Sequence, residues 1–286
     1  MAAKNAAQAQ QQLQGKDDQP VLRVLSWNID GLDNGLDIAV RTRAVCDVIE
    51  REKPAVVLLQ EVVSESMIIL AERLATSYSI LAPSAERSHY FVAILLRFDA
   101  CDVAKSNHKV VDFPQSRMDR NLLVATDIVV LRTQHRLAVC TSHLESLANS
   151  SAERKSQLSA VYQQMVLLAV SHNTVLFGGD TNLRKAEVQA CRAPACIRNA
   201  YEACGEPPDA RYTFDVKTND NVMQKGWVGA QIRTQYDKMF WASGQPCDSP
   251  QKALVPKTFR LVGTQRLAEG YFPSDHYGIL CDLESS

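Results

Sequence analysis

What most limits the folds open to this chain is a set of five short polar clusters, each set against an apolar run. They are Trp27-Asn28-Ile29-Asp30-Gly31, Leu59-Gln60-Glu61, Ser142-His143-Leu144-Glu145, Gly179-Asp180-Thr181-Asn182 and Pro273-Ser274-Asp275-His276. The apolar runs read as buried strands, where an unpartnered carboxylate, amide or imidazole costs on the order of several kcal/mol. Such violations, spread from Asn28 to His276, predict that distant parts of the chain meet at one shared site. One domain over residues 21–286 follows, and at 46% hydrophobic it can build a large core without staples.

Charge and cysteine usage remove several classes of function. A net charge of −1 is unsuited to coating long nucleic acid, which needs a broad basic surface, although local arginines can still grip a few phosphates. The eight cysteines form no C-x-x-C pair, and no apolar stretch approaches the length of a membrane span. With no signal peptide, reduced thiols in the cytosol or nucleus are expected, and secretion is not.

Residues 1–20 are rich in Ala and Gln, lack aromatics and predict a disordered tail. From Val21 the pattern changes to alternating strands and helices. Val21–Leu25 leads into Trp27 as a strand, and residues 39–52 carry helical apolar spacing closed by Lys53-Pro54. Strand 56–59 delivers Gln60-Glu61, and a helix follows over 65–76. Further strands are expected at 91–96, 122–130, 137–141 and 174–177. Ser150-Ser-Ala-Glu153 reads as a capping box opening a helix to Val170, with Leu158, Val161, Tyr162 and Met165 on one face and Arg154 on a solvated face. The polar clusters then sit at strand ends, where chemistry is carried on a rigid frame.

Glu61, Asp30, Asp180 and Asp275 are hard oxygen donors without partner cysteines, a set that suits Mg²⁺ or Mn²⁺ and not a structural zinc. Asn28 and Asn182 can hydrogen-bond phosphate oxygens without repelling them. His143 and His276 can donate to a pentavalent phosphorus centre, with a carboxylate behind the ring fixing its tautomer. Together these groups describe hydrolysis of a phosphoester.

These clusters resemble the endonuclease/exonuclease/phosphatase superfamily over about residues 21–283. Six motifs in order look more closely like its 5′-tyrosyl-DNA phosphodiesterase branch: Trp27-Asn-Ile-Asp-Gly-Leu-Asp33, Leu59-Gln-Glu-Val62, Arg120-Asn-Leu-Leu123, Thr141-Ser-His-Leu-Glu-Ser146, Gly179-Asp-Thr-Asn-Leu-Arg184 and Phe272-Pro-Ser-Asp-His276. The resemblance implies an α+β fold, a DNase I-like four-layer sandwich in which two packed mixed β-sheets are flanked by helices. It also implies a repair hydrolase that removes a topoisomerase-derived tyrosine or peptide adduct from a DNA 5′ end, with tyrosyl-RNA as a second substrate, acting in the nucleus and also the cytoplasm.

By the same resemblance Glu61 and Asp30 would hold the metal with Asp275 near it, and Asn28 would hold the scissile phosphate. Asp180 would orient and deprotonate the attacking water, helped by Asn182. His276 would stabilise the phosphorane, with Asp237 behind its ring and His143 on the other side. Tyr90, Phe214 and Tyr236 would contact the 5′ end, and Arg120, Asn121, Ser142, Glu145, Ser146, Leu183 and Arg184 would complete the groove. A phenol of pKa about 10 is a better leaving group than an alcohol, so expelling tyrosine needs less proton donation.

The chain departs from the branch at Phe214, where Trp is common, at Lys185, where an acid is common, and at Gln235 and Lys238, where both positions are commonly Arg. The polar tail also leaves no room for the N-terminal ubiquitin-binding domain of vertebrate members. Abasic-site endonuclease or RNA phosphodiesterase activity on the same fold is the alternative, and an inactive binding relative is the third class.

Overall fold

The computed structural model describes residues 20–32, 35–84, 89–224, 231–244, 246 and 252–285; residues 1–19 of the expected tail lie outside them. Two sheets lie face to face. The first has the order β14-β15-β1-β2-β4-β3, built from β1 (Leu22–Asn28), β2 (Val56–Val63), β3 (Tyr78–Leu81), β4 (Tyr90–Arg97), β14 (Leu254–Val262) and β15 (Gly278–Ser285). The second has the order β10-β13-β9-β8-β7-β5, with β6 also paired to β7. Its strands are β5 (Cys101–Asp102), β6 (Asn107–Asp112), β7 (Asn121–Val130), β8 (Arg136–His143), β9 (Thr174–Asp180), β10 (Ile197–Asn199) and β13 (Asp237–Ser243). A small ribbon pairs β11 (Phe214–Asp215) with β12 (Arg233–Thr234).

Three apolar clusters fill the spaces between layers. Val24, Val56, Leu58 and Ile94 of the first sheet meet Leu123, Val139, Leu176 and Trp241 of the second. On the outer side of the first sheet, Leu25, Trp27, Val57 and Leu59 pack under α1 (Ile38–Glu52) and α2 (Ser64–Leu74). On the outer side of the second, Val175, Phe177 and Phe240 pack under Leu158, Val161 and Met165 of α3 (Ser151–Leu168). Helices, sheet, sheet and helix give the four layers that the motifs imply.

The two-residue period of a strand decides where the polar clusters point. The parity that places Val24 and Ser26 between the sheets also places Asn28 there; Leu58 does the same for Gln60, Val139 for His143 and Leu176 for Asp180. The pairs β1–β2 and β8–β9 are each parallel, so all four polar ends emerge at the same edge of the sandwich. The sheets approach closely at this point. A Cβ on Gly178 would lie 2.7 Å from Leu58 Cδ1 and 2.9 Å from Ser26 Cβ, and Gln60 Nε2 crosses to donate to Thr141 Oγ1 at 2.9 Å.

Most predicted elements lie within a few residues of their expected bounds, and β8 and β9 run on to include His143 and Asp180 themselves. Two expectations about α3 are corrected. Ser150 makes no side-chain cap; its hydroxyl is buried without a partner among the described residues, while Glu153 is drawn away to Arg117 at 2.8 Å. Arg154 is fully buried and not on a solvated face. Its guanidinium grips the Glu187 carboxylate at 3.0 and 2.7 Å and donates to the carbonyls of Glu145 and Leu147.

Candidate active site

Asn28 is the residue on which the site is centred. Its Nδ2 donates to Glu61 Oε1 at 3.1 Å and to Asp180 Oδ2 at 3.0 Å, while its Oδ1 accepts from the Asp30 backbone N–H at 2.9 Å. One amide from the first sheet thus joins a carboxylate of each sheet. Glu61 would point outward by strand parity, but a bulge between Leu59 and Val62 and a φ of +54° turn it into the site. Asp30 and Asn182 also take positive φ, at +55° and +50°, so strained backbone collects here. Gly31 is required beside them, because a Cβ there would sit 2.1 Å from the Glu61 carbonyl oxygen.

The last cluster reaches the site through Ser274. Its hydroxyl donates to the Asn28 carbonyl at 2.6 Å and accepts from the His276 N–H at 3.0 Å, and Trp27 Nε1 donates to the His276 carbonyl at 2.9 Å. His276 Nδ1 lies 2.8 Å from Asp237 Oδ2, and its Nε2 is 3.7 Å from Asp180 Oδ2. Asp237 is held opposite Asp180 by the β13–β9 register. On the other side of Asp180, His143 Nε2 stands 3.4 Å from Oδ2 and 3.0 Å from Asn182 Nδ2, and its Nδ1 is 3.6 Å from Glu61 Oε1. The Asn182 backbone N–H donates to Asp180 Oδ1 at 2.9 Å.

These neighbours set the charges. Burial, with Asp237 nearby, pushes the Asp180 carboxyl up to about 7. Burial would lower the His276 imidazole, but the carboxylates of Asp237, Asp180 and Asp275 lift it well above its ordinary value. Burial and the positive charges of Arg120 and His276 hold His143 well below its own. Burial and the Asp275 charge raise Glu61.

The Glu61 side supplies the test of whether a divalent cation fits. Two carboxylates close enough to repel, a nearby amide and no thiol form a hard oxygen set, which a small divalent cation would relieve. Asp180, Asp237 and His276 also bring possible ligand atoms within 4.8 Å of one another. The short Asp237–imidazole hydrogen bond occupies that group, however, and makes it an oriented acid pair more readily than a cation cage. Asp30, expected at the metal, has its carboxylate 3.2 Å from the buried Arg41 guanidinium.

The groove residues separate into a mouth and its support. At the mouth the guanidinium of the buried Arg120 lies 4.7 Å over the Tyr90 ring, with Nε and Nη1 unpartnered among the described residues, and Arg184 lies 5.6 Å over Tyr236. Arg184 also bridges the carbonyls of Asn182 and Ser146. Phe214 is buried against Val216 and Val222, and its ring stands edge-on to His276 at 5.0 Å. In the support, Glu145 Oε1 accepts from the Ser116 hydroxyl and the Arg117 N–H at 2.7 Å each, and so holds that loop and does not face the groove. Leu183 is buried under α3, and the Ser142 hydroxyl donates to the Asn121 carbonyl at 2.7 Å.

A model of the endonuclease/exonuclease/phosphatase family matches residues 25–276, spanning every group just described. The chain belongs to this family. Curated relatives named tyrosyl-DNA phosphodiesterase 2 include that of Rattus norvegicus, 38% identical over 93% of this chain and 68% of its own length. The Homo sapiens relative of the same name is 34% identical over 91% and 67%. The crystal structure of D. rerio TDP2 complexed with single-strand DNA product superposes with a TM-score of 0.82 at 35% identity, covering 92% of this chain and 99% of that one.

Within this family member, two supporting residues carry little signal in the sequence. Ser274 lay inside a recognised motif but gave no sign that its hydroxyl would tie two clusters together. Arg41 was legible in principle: an arginine four residues before Val45, on the buried stripe of a helix, needs an acceptor, and finds Asp30.

Proposed function

We propose that this chain is a divalent-cation-dependent phosphodiesterase that breaks the bond between a topoisomerase-derived tyrosine and a DNA 5′ end, leaving a 5′-phosphate. The observation that carries this reading is Asn28, whose amide spans Glu61 and Asp180 beside the Asp237–His276 pair. Ionised Asp180, steadied by Asn28 and the Asn182 N–H, takes a proton from water as the water oxygen bonds to phosphorus. The His276 imidazolium, anchored by Asp237, donates from Nε2 to the oxygen on which charge develops. The phosphorus–oxygen bond to tyrosine breaks, and the phenolate leaves without a strong acid behind it. Glu61 and Asp275 would hold Mg²⁺ or Mn²⁺, which supplies charge neutralisation at the phosphoryl oxygens.

Support for the substrate comes from the names of the relatives and from a mouth of two arginine–aromatic pairs, suited to a phosphate chain and an unstacked base. Tyrosyl-RNA belongs to the same proposal, as does work in the nucleus, where such DNA ends arise, with a cytoplasmic share. The test uses oligonucleotides bearing a 5′-phosphotyrosine, an internal abasic site or a 3′-phosphotyrosine. Rapid cleavage of the first alone, stopped by EDTA and restored by Mg²⁺ or Mn²⁺, is the expected result. Preferential nicking at the abasic site would replace this reading with an abasic endonuclease.

A further inference from the structure

Lys238 is the residue after Asp237 on β13, so strand parity sends it to the opposite face of the sheet, away from His276. It emerges under α3 and the short helix α4 (Lys185–Ala190), in a cavity of about 420 Å³ floored by Leu158, Tyr162 and Phe240 and walled by Leu183, Val188 and Cys191. Apolar side chains share the lining with the polar groups of Arg198, Asn199 and Glu202, and the size is that of a small-molecule site. Lys238 is only 8% exposed, and among the described residues its ammonium donates to Gln235 Oε1 at 2.7 Å. Next to it, Gln235 Nε2 is buried with no partner among the described residues. A buried three-donor cation with one acceptor among the described residues, beside an amide donor with none there, is a costly arrangement that an anionic acceptor would relieve.

We propose that this cavity binds a small organic monocarboxylate with a flat apolar body, its carboxylate against Lys238 Nζ and its body against the surface that Leu158, Tyr162 and Phe240 form together. One buried cation favours a monoanion over a phosphate dianion, since the other cation of the lining, Arg198, is exposed and lies 5.9 Å over the Trp241 ring. The acids near the ammonium are Asp237, across the sheet, and Glu202, exposed at the rim on the helix Ala200–Ala203; both steady it as a cation. Burial nonetheless brings the amine down to about 8, so the carboxylate is held less well as the pH passes that point. The site stands immediately behind two working segments. Leu183 follows Asn182, and Gln235 and Lys238 flank Tyr236 and Asp237, so an occupant bears on the catalytic wall from behind.

The inference is independent of which phosphodiester the chain cleaves, because its test reads binding. Naphthalene-1-carboxylate is titrated into the isotope-labelled chain, with amide shifts followed by NMR. Saturable shifts are expected at Leu183, Val188 and Lys238. Affinity should be about tenfold weaker for the uncharged naphthalene-1-carboxamide and for Lys238→Met. It should also be weaker at about pH 9.5 than at about pH 7. Val188→Trp, which fills the cavity from a half-exposed helix position, should abolish the shifts with folding intact, and serves if Lys238→Met does not fold. Equal affinity for acid and amide, shifts centred on Asp180 and His143, or no saturable binding would each overturn the proposal.

Discussion

His143 and His276 stand on opposite sides of one carboxylate, 3.4 and 3.7 Å from Asp180 Oδ2, and the fold gives them opposite charge states. Both are buried, and burial alone would leave both neutral. The difference is the company each keeps. His276 has Asp237 at 2.8 Å, with Asp180 and Asp275 beyond, and rises well above its ordinary pKa; His143 has the Arg120 charge and falls well below it. One ring is a fixed proton donor. The other is a neutral acceptor for Asn182 Nδ2, which leaves its proton on Nδ1, facing Glu61. Burial therefore does not decide what a histidine does at such a site; the supply of carboxylates does.

The largest effect should come from the carboxylate that separates the two rings. Asp180→Asn keeps the hydrogen bond from the Asn182 N–H but cannot take a proton, and the turnover rate should fall by roughly a hundred- to ten-thousandfold. In the unaltered enzyme kcat/KM should rise as the pH climbs through about 7, because the base works ionised, and fall again above the raised pKa of His276. A flat profile between about pH 5.5 and 8.5 would remove Asp180 from the role of base. Asp237→Asn comes next, with a loss of about a hundredfold. Asp237 raises both His276 and Asp180, so its removal should carry both limbs of the profile to lower pH. Movement of only one limb would mean that Asp237 serves one side of the contrast.

How much of this contrast was written in the sequence depends on the distance over which each residue acts. Asn28 and Asp180 were legible because a polar residue inside a buried strand must have a partner, and strand parity states which way it points; His276, in the bend before β15, was legible from its motif alone. The layers followed from the same apolar runs. Glu61 could be named but not aimed, since its direction comes from a bulge and a positive φ that no periodicity records. Arg154 was misplaced for a related reason: helical spacing shows which face is apolar, but not that Glu187 and two carbonyls wait on it. Glu145, part of a recognised motif, turns inward to hold the Ser116–Met118 loop, and motif membership alone cannot separate a substrate contact from its support.

The smallest effect should fall on the neutral ring, and it tests the comparison most directly. His143→Gln keeps an amide that can donate toward Glu61 and accept from Asn182, but it carries no charge in either form. If His143 works as a neutral spacer between Glu61, Asp180 and Asn182, the replacement should cost about tenfold in kcat/KM, the size of a lost positioning contact. Both limbs of the pH profile should stay close to their places, since no titrating cation has been removed. His276→Gln, measured beside it, should cost at least as much as Asp237→Asn and erase the high-pH limb. Equal losses for the two glutamine variants, or a limb displaced by His143→Gln, would mean that His143 also carries a proton during turnover, and the division between a charged and a neutral histidine would fail.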